Sequence, residues 1–531
     1  MTITPIKVFN TVGPCEPLKH YMVPVLPRQR EVIDLIDGEY YFVLHAPRQS
    51  GKTTFLKAIT NQINSEGIHY AFNCSLEALD NTSDVNQGID EIISQIQVRL
   101  SFSDMEKITY LNSKYITPSQ ATASTKLLYF FRYLCNNLDK QLIIFFDEMD
   151  CLLEGPLISF LRQIRLGYNE RNDTKKTKFP RTIALVGMRD IRDYLVQVRP
   201  QAESKGLASP FNVKKESLTL PNFTQEEIKA LYHQHTEASG QIFEPEAIVR
   251  AWYWSEGQPW LVNALAYEVV TKILNKRYSE TITGALIDQG AQALILRRDT
   301  HLDSLTERLK EPRVSRIFDV IQSSRDRYPK EVSDDDKRYV LDLGLIKTVD
   351  GIYQPANPIY EEVISRAASH KHQDNLPADL TFKWLDGHKL YMTSLLKDFQ
   401  RYWRINADMI DDPHNFNESI PHILIFAYMQ KVVNGGATIS REYAFGRMRV
   451  DVNVTYKGVS YPVEIKIRGL DKFVESRTRD SLKQLRSYMD KCGAKEGWLV
   501  VFDRGKERSW DEKITWETTQ FEGVTIHIVG C

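Results

Sequence analysis

From about residue 30 to residue 220, short β-rich apolar runs alternate with stretches of helical period. The runs are Tyr40–His45, Ile68–Asn73, Leu142–Phe146, Thr182–Gly187 and Ser217–Leu220. Such alternation predicts a mostly parallel sheet covered by helices. Residues 224–300 carry helical periods, with Trp252, Trp254, Trp260 and Leu261 as candidate core positions. Residues 313–366 read as helices followed by a hairpin turning at Asp350-Gly351. The polar, aperiodic stretch 366–375 reads as a linker. Beyond it come a helix near 390–404, another near 418–433, a hairpin, a further helix and an edge strand. That order predicts a separate α+β domain.

Length and composition narrow the picture. A chain of 531 residues exceeds what one core supports, so several domains are expected. An apolar fraction of 42% with balanced charge describes an ordinary globular protein. No apolar run approaches the roughly 20 residues that span a bilayer, so no membrane partner is expected. The N-terminus lacks a basic stretch leading into an apolar segment, so no secretory signal is expected. Cys15, Cys74, Cys135, Cys151, Cys492 and Cys531 are scattered, without zinc spacing, and read as reduced, mostly buried thiols of a cytoplasmic protein. A net charge of −1 leaves nucleic-acid contact to local basic surface.

The first chemical signal is "HAPRQSGKTTFL", which follows the run Tyr40–His45 and opens a helical pattern. Ala46, Pro47, Arg48, Gln49, Ser50, Gly51, Lys52, Thr53 and Thr54 form a phosphate-binding loop, with Ala where Gly is commoner. Backbone N–H groups curl around phosphates there, and the helix N-terminus adds partial positive charge. Lys52 would reach the β- and γ-phosphates of ATP, and Thr53 would ligate Mg²⁺. The apolar run "LIIFF" ends in Asp147 and Glu148. Acids at the carboxyl end of a neighbouring strand suit the metal hydration shell (Asp147) and the attacking water (Glu148). Arg189, after "TIALVGM", is either a γ-phosphate sensor or a plain surface arginine.

These segments, with "GQPWLVNAL" and "LRRDTHLDSLTERLKEPRV", resemble AAA-like ATPases of the STAND class over roughly residues 8–366. The resemblance implies a nucleotide-gated switch with a helical lid and a winged helix. It implies that the Gly257-Gln258-Pro259 turn lies near the nucleotide, with Pro259 at the base or sugar. Arg297 and Arg298 are arginine-finger candidates by resemblance, with a helix-surface role as the alternative. Relatives of this class often assemble when ATP-bound, so homo-oligomerisation on ATP binding is an expectation.

The second signal is "RMRVDVNVTYKGVSYPVEIKIRG". Lys457-Gly458 reads as a two-residue hairpin turn, setting Tyr456 against Val459. Counting outward sets Asp451 against Glu464, and Lys466 shares their face. Val450, Val452, Val454, Val463, Ile465 and Ile467 collect on the other, apolar face. Two facing carboxylates repel unless a cation lies between them, and oxygen ligands suit Mg²⁺ or Mn²⁺. Such an ion activates water for phosphodiester hydrolysis. Lys466 would orient that water or offset developing charge.

The spacing Asp451…Glu464-x-Lys466 resembles the PD-(D/E)XK nuclease superfamily over about residues 390–531. The resemblance implies a metal-site acid at Glu418 and a supporting Gln484/Tyr488 pair four apart on a helix. Arg477, Arg479, Lys483 and Arg486 give that helix a basic side. The expected boundaries are 1–222 for the P-loop core, 223–312 for the lid, 313–366 for the winged helix, 367–378 for a linker and 379–531 for the nuclease domain. The expected function is an ATP-gated, metal-dependent DNA nuclease, with defence against phages or mobile elements as an analogy from architecture. The alternative is an ATP-dependent switch that grips DNA through an inactive nuclease fold, and RNA is a further substrate option. Endonuclease and exonuclease action, the trigger and the pathway are not legible.

Overall fold

Tyr41–His45 forms β1, buried from Tyr41 through Leu44. A strand buried on both faces is what the centre of a parallel sheet demands. The computed structural model describes residues 6–24, 30–79, 82–188, 214–297, 307–323, 332–364, 389–410, 438–445, 448–468, 475–503 and 508–531, with Leu305, Trp384, Ile425, Tyr428 and Met429. β2 (Tyr70–Ser75), β3 (Leu142–Asp147), β4 (Thr182–Gly187) and β5 (Lys214–Thr219) join β1 in the order β2-β3-β4-β1-β5. Every pairing in this sheet is parallel.

Alternation along β1 and β3 divides the core in two. Tyr41, Val43, Leu142, Ile144 and Phe146 face one layer, beneath the helices Val85–Ser101, Lys126–Asn137 and Glu154–Glu170. Phe42, Leu44, Ile143 and Phe145 face the other, beneath Arg30–Asp37 and α1 (Lys52–Glu66). The strand type read from each apolar run holds, with bounds shifted by at most three residues.

Four helices follow. Gln225–Ser239 opens on a reciprocal capping box between Thr224 and Glu227. Pro245–Ser255 and α2 (Pro259–Tyr267) each start with Pro in the first turn, where its missing N–H costs nothing. α2 continues into a π-turn, Glu268–Ile273, before Gly284–Arg297. Trp260 and Leu261 are buried, as expected of core positions. Trp252 is not; it is 38% exposed, because it lies on the outward side of its helix.

Next come the helices Pro312–Ser323 and α3 (Asp334–Asp342), then the hairpin β6 (Ile346–Val349) and β7 (Ile352–Pro355). Asp350 and Gly351 both have positive φ, 51° and 79°, as a two-residue hairpin turn requires.

The C-terminal region holds α4 (Met392–Ile410), a six-stranded sheet and α5 (Glu475–Cys492). The strands are β8 (Thr438–Phe445), β9 (Met448–Tyr456), β10 (Val459–Arg468), β11 (Glu496–Asp503), β12 (Trp516–Phe521) and β13 (Val524–Gly530). Their order is β12-β13-β11-β10-β9-β8. β10, β11 and β13 run parallel, and the outer pairs are antiparallel. This is more sheet than the hairpin and single edge strand expected. β11, "EGWLVVFD", is a short continuous apolar run, which has no period to distinguish it from helix.

By internal packing the chain forms two units. One comprises Met1–His301 with Ser333–Lys347 and Pro355–Ile359; the other comprises Leu302–Val332 with Thr348–Gln354 and Tyr360–Cys531. No helix among the described residues is long and apolar enough to cross a membrane. All six cysteines are free thiols; Cys74, Cys135 and Cys531 are buried, and Cys15, Cys151 and Cys492 are partly exposed.

Candidate nucleotide site and C-terminal acidic face

The loop between β1 and α1 is shaped by two left-handed residues, Gln49 at φ 58° and Gly51 at φ 92°. A Cβ on Gly51 would meet nothing within 4 Å, so conformation and not crowding calls for glycine here. α1 starts with no side-chain cap, which leaves its first N–H groups for an anion. Lys52 Nζ donates to the carbonyls of Ala46 at 2.6 Å and Pro47 at 2.9 Å. Ser50 Oγ donates to the Pro47 carbonyl at 2.8 Å. The loop's own carbonyls thus hold Lys52 in the bend.

Two strands away, β3 ends at the acids. Thr53 Oγ1 donates to Asp147 Oδ2 at 3.0 Å, and the Glu148 N–H donates to Asp147 Oδ1 at 3.0 Å. Glu148 has φ 59°, a strained conformation for a residue with a side chain. Burial raises both Asp147 and Glu148 above their ordinary values, and the Asp147 and Asp150 charges add to the rise of Glu148. Burial also lowers Lys52, against the pull of Asp150, Glu148 and Asp147.

A cavity of about 690 Å³ opens over this loop. Arg48 through Thr54, Glu148 and Pro259 line it, as the sequence reading asked of them. Ala46 does not; its side chain is buried in the sheet core, and only its carbonyl serves, as an anchor for Lys52. Pro47 likewise contributes its carbonyl. Gln258 ties the start of α2 to the loop: its Nε2 donates to the Gln49 carbonyl at 3.4 Å, and its Oε1 caps Leu261 N at 2.6 Å. Arg189 and Arg298 lie outside the described residues. Arg297 donates to both carboxylate oxygens of Glu268, at 3.2 and 2.6 Å, so it is engaged with the π-turn after α2.

Several site residues escaped the sequence reading. Asn10, Thr11, Gly13, Pro14 and Cys15 line the cavity. Trp260 Nε1 holds this segment through the Thr11 carbonyl at 2.8 Å, and Cys15 N donates to Thr54 Oγ1 at 3.0 Å. Asp150 accepts from the N–H of Met188, a cavity residue at the end of β4, at 3.1 Å. Asp150 was visible as a third acid in "FFDEMD"; the N-terminal segment carried no signal beyond its Gly-Pro turn.

The second group lies in the C-terminal sheet. Lys457 and Gly458 have φ 48° and 79°, a turn that matches strand twist. The register pairs Val459 with Tyr456 and runs to Val463 with Val452. One further step of the same register would set Asp451 opposite Glu464. The Asp451 side chain lies outside the described residues, as does Glu418. Glu464 forms an ion pair with Lys466. The expected apolar face is present: Val452, Val454, Val463 and Ile465 are buried in one cluster with α4.

The acidic face departs from a simple open strand face. α5 packs across β9, β10 and β11, and Glu464 is fully buried. Gln484 and Tyr488 differ although they share a helix face by spacing: Tyr488 is fully buried and Gln484 is exposed. Arg479 and Lys483 are exposed, and Arg486 donates to the Glu522 carbonyl at 3.0 Å. Among the described residues no group of three His, Cys, Asp or Glu side chains is clustered to hold a metal.

The parallel sheet, the glycine-hinged loop and the acids at the end of β3 define a P-loop α/β protein. The chain belongs to the AAA-like domain family, whose model matches residues 30–366. Its N-terminal region is accordingly a P-loop ATPase domain of AAA-like type. It is similar in fold to a Walker-type ATPase of Pyrococcus abyssi, with TM-score 0.46 and 15% identity, over 67% of this chain and 99% of that one. It is also similar to the Aeropyrum pernix ORC2 protein, with TM-score 0.37 and 15% identity, over 66% and 96%. A third is the Thermotoga maritima RuvB branch-migration motor, with TM-score 0.35 and 14% identity, over 65% and 98%. No curated protein matches the chain.

Proposed function

We propose that this protein is an ATP-gated phosphodiesterase acting on DNA. It joins a STAND-like ATPase switch to a PD-(D/E)XK-type nuclease domain. The domain limits that go with this reading are 1–222, 223–312 (lid), 313–366 (winged helix) and 379–531 (nuclease), with a linker at 367–378. The ATPase half rests on Lys52, Thr53 and Glu148 lining one cavity, with Asp147 hydrogen-bonded to Thr53 behind it. Lys52 neutralises phosphate charge, and the N–H groups at the start of α1 receive the phosphate oxygens. Bound Mg²⁺ would offset negative charge in phosphoryl transfer. Thr53 and Asp147 would hold that ion. Glu148, its proton affinity raised by burial, would take the proton of the attacking water.

The nuclease reading is carried by one observation: a fully buried glutamate paired with a lysine two residues on, on the strand face that the register shares with Asp451. A buried carboxylate is costly unless it is paired or binds metal. The donor chemistry, carboxylate oxygens with an ammonium beside them, fits Mg²⁺ or Mn²⁺. Such an ion supplies an activated water at neutral pH. Glu464 and Asp451 would hold it, Lys466 would orient the water, and Tyr488 would support the face from α5. Defence against invading DNA, and assembly of copies on ATP binding, are the biological setting this architecture suggests.

A cleavage assay on linear, circular and single-stranded DNA and on RNA, with Mg²⁺ or Mn²⁺ and with or without ATP, tests this. Lys466→Ala should abolish cutting and leave ATP binding intact. Lys52→Ala should weaken ATP binding by about 10- to 100-fold, the worth of about 1.5–3 kcal/mol for charged hydrogen bonds. Cutting by Lys466→Ala at the parent rate would overturn the nuclease assignment. DNA binding without cutting under every condition would favour a switch that only grips DNA.

A further inference from the structure

Asn453 lies on β9 two residues from Asp451, so both belong to one face of the strand. Across the pair its partner is Pro462, and Glu464 is two residues further along β10. Diagonal neighbours of this kind have Cβ atoms about 7–8 Å apart or less, within reach of polar side chains sharing a ligand.

Asn453 is 3% exposed. Its Nδ2 donates to Thr455 Oγ1 at 3.3 Å, in the direction of the hairpin turn. The amide is planar, so Oδ1 opens the other way, toward the level of Asp451 and Glu464. That oxygen is buried and accepts no hydrogen bond from the protein. A buried acceptor without a donor lowers stability and calls for an explanation.

The surroundings point to a cation. The same face of the pair carries the buried Glu464 carboxylate. The Lys466 ammonium is already directed at Glu464. A buried carboxylate and an unpaired amide oxygen on one covered face are hard oxygen donors of the kind a divalent ion takes.

We infer that Asn453 Oδ1 is a further oxygen donor, direct or through one water, to a divalent ion held on this face. The inference rests on the nuclease-site reading and adds to it a residue outside the Asp451, Glu464 and Lys466 set. The amide carbonyl suits the role because it adds an oxygen without adding a third negative charge beside Lys466.

The test is Mn²⁺ titration of the nucleotide-free full chain, followed by electron paramagnetic resonance of the free ion, with thermal unfolding beside it. The parent should bind Mn²⁺, and Glu464→Gln should lose that site. Asn453→Leu and Asn453→Ala should weaken it by about tenfold, the scale of a supporting ligand. Asn453→Asp, of the same shape, should restore it. Asn453→Leu should also unfold at a temperature no lower than the parent without metal, because the orphan acceptor is gone. Parent-like Mn²⁺ affinity in Asn453→Ala and Asn453→Leu, with Glu464→Gln still defective, would overturn this inference and leave the nuclease reading standing. No Mn²⁺ site sensitive to Glu464→Gln would bring down both.

Discussion

Thr53 Oγ1 and Asp147 Oδ2 stand 3.0 Å apart in a hydrogen bond that joins the first turn of α1 to the end of β3. Thr53 Oγ1 would offer a lone pair to a magnesium ion while still donating to Asp147, which would hold the ion's hydration shell. Thr53→Ala should therefore weaken binding of Mg²⁺-ATP by about tenfold, or about 1.4 kcal/mol. Binding of ATP in EDTA should change far less. Calorimetric titrations in the two conditions measure the difference.

Glu148 is set apart from Asp147 by its strained backbone and its place on the cavity wall. Glu148→Gln keeps the shape and removes the base. Nucleotide affinity should hold while ATP turnover falls by about 10²- to 10⁴-fold, the usual worth of general-base catalysis. Equal turnover in the two proteins would assign the water to another group.

The same burial gives a pH signature. Asp147 and Glu148 have folded-state proton affinities above their ordinary values of 3.8 and 4.5. In the window above those values the folded state holds more protons than the unfolded one, so stability falls as pH rises through it. Lys52 is lowered below its ordinary 10.5, so in the window beneath 10.5 stability rises with pH. Without nucleotide, Asp147→Asn should unfold at a higher temperature than the parent near neutral pH, and the gap should close in acid. A gap that persists at the acid end would show that charge is not the cause.

Asp150 accepts from Met188 N at 3.1 Å, linking the turn after β3 to the end of β4, which lies between β3 and β1. Asp150→Ala should lower kcat for ATP by about tenfold with little change in KM, because it loosens placement and not binding. Asp150→Asn keeps an acceptor and should recover most of that loss. If Asn is as poor as Ala, the charge beside Lys52 matters more than the strand contact.

Gly257 has φ 74°, and a Cβ there would meet the Phe223 carbonyl oxygen at 2.0 Å. Gly257→Ala combines left-handed strain with a backbone clash. It should cost roughly 3 kcal/mol of stability and displace Gln258 from the Gln49 carbonyl. A denaturant midpoint equal to the parent's would refute this.

What the sequence determined by itself was local. The Gln49 to Thr54 loop is a contiguous string whose function follows from backbone N–H groups and one lysine. The strands β1, β3 and β4 are continuous apolar runs because both their faces are buried. The β9/β10 register follows from a two-residue turn and a period of two, so the pairing of Val459 with Tyr456 could be counted outward. Tertiary structure alone decided the rest. Trp260 and Thr11 meet across 249 residues, and nothing in either neighbourhood marks the contact. Whether Glu464 faces water or a helix depended on where α5 packs, which its own amphipathic pattern does not say. Periodicity records which side of an element is buried; which distant segment covers it is settled by how whole layers fit together.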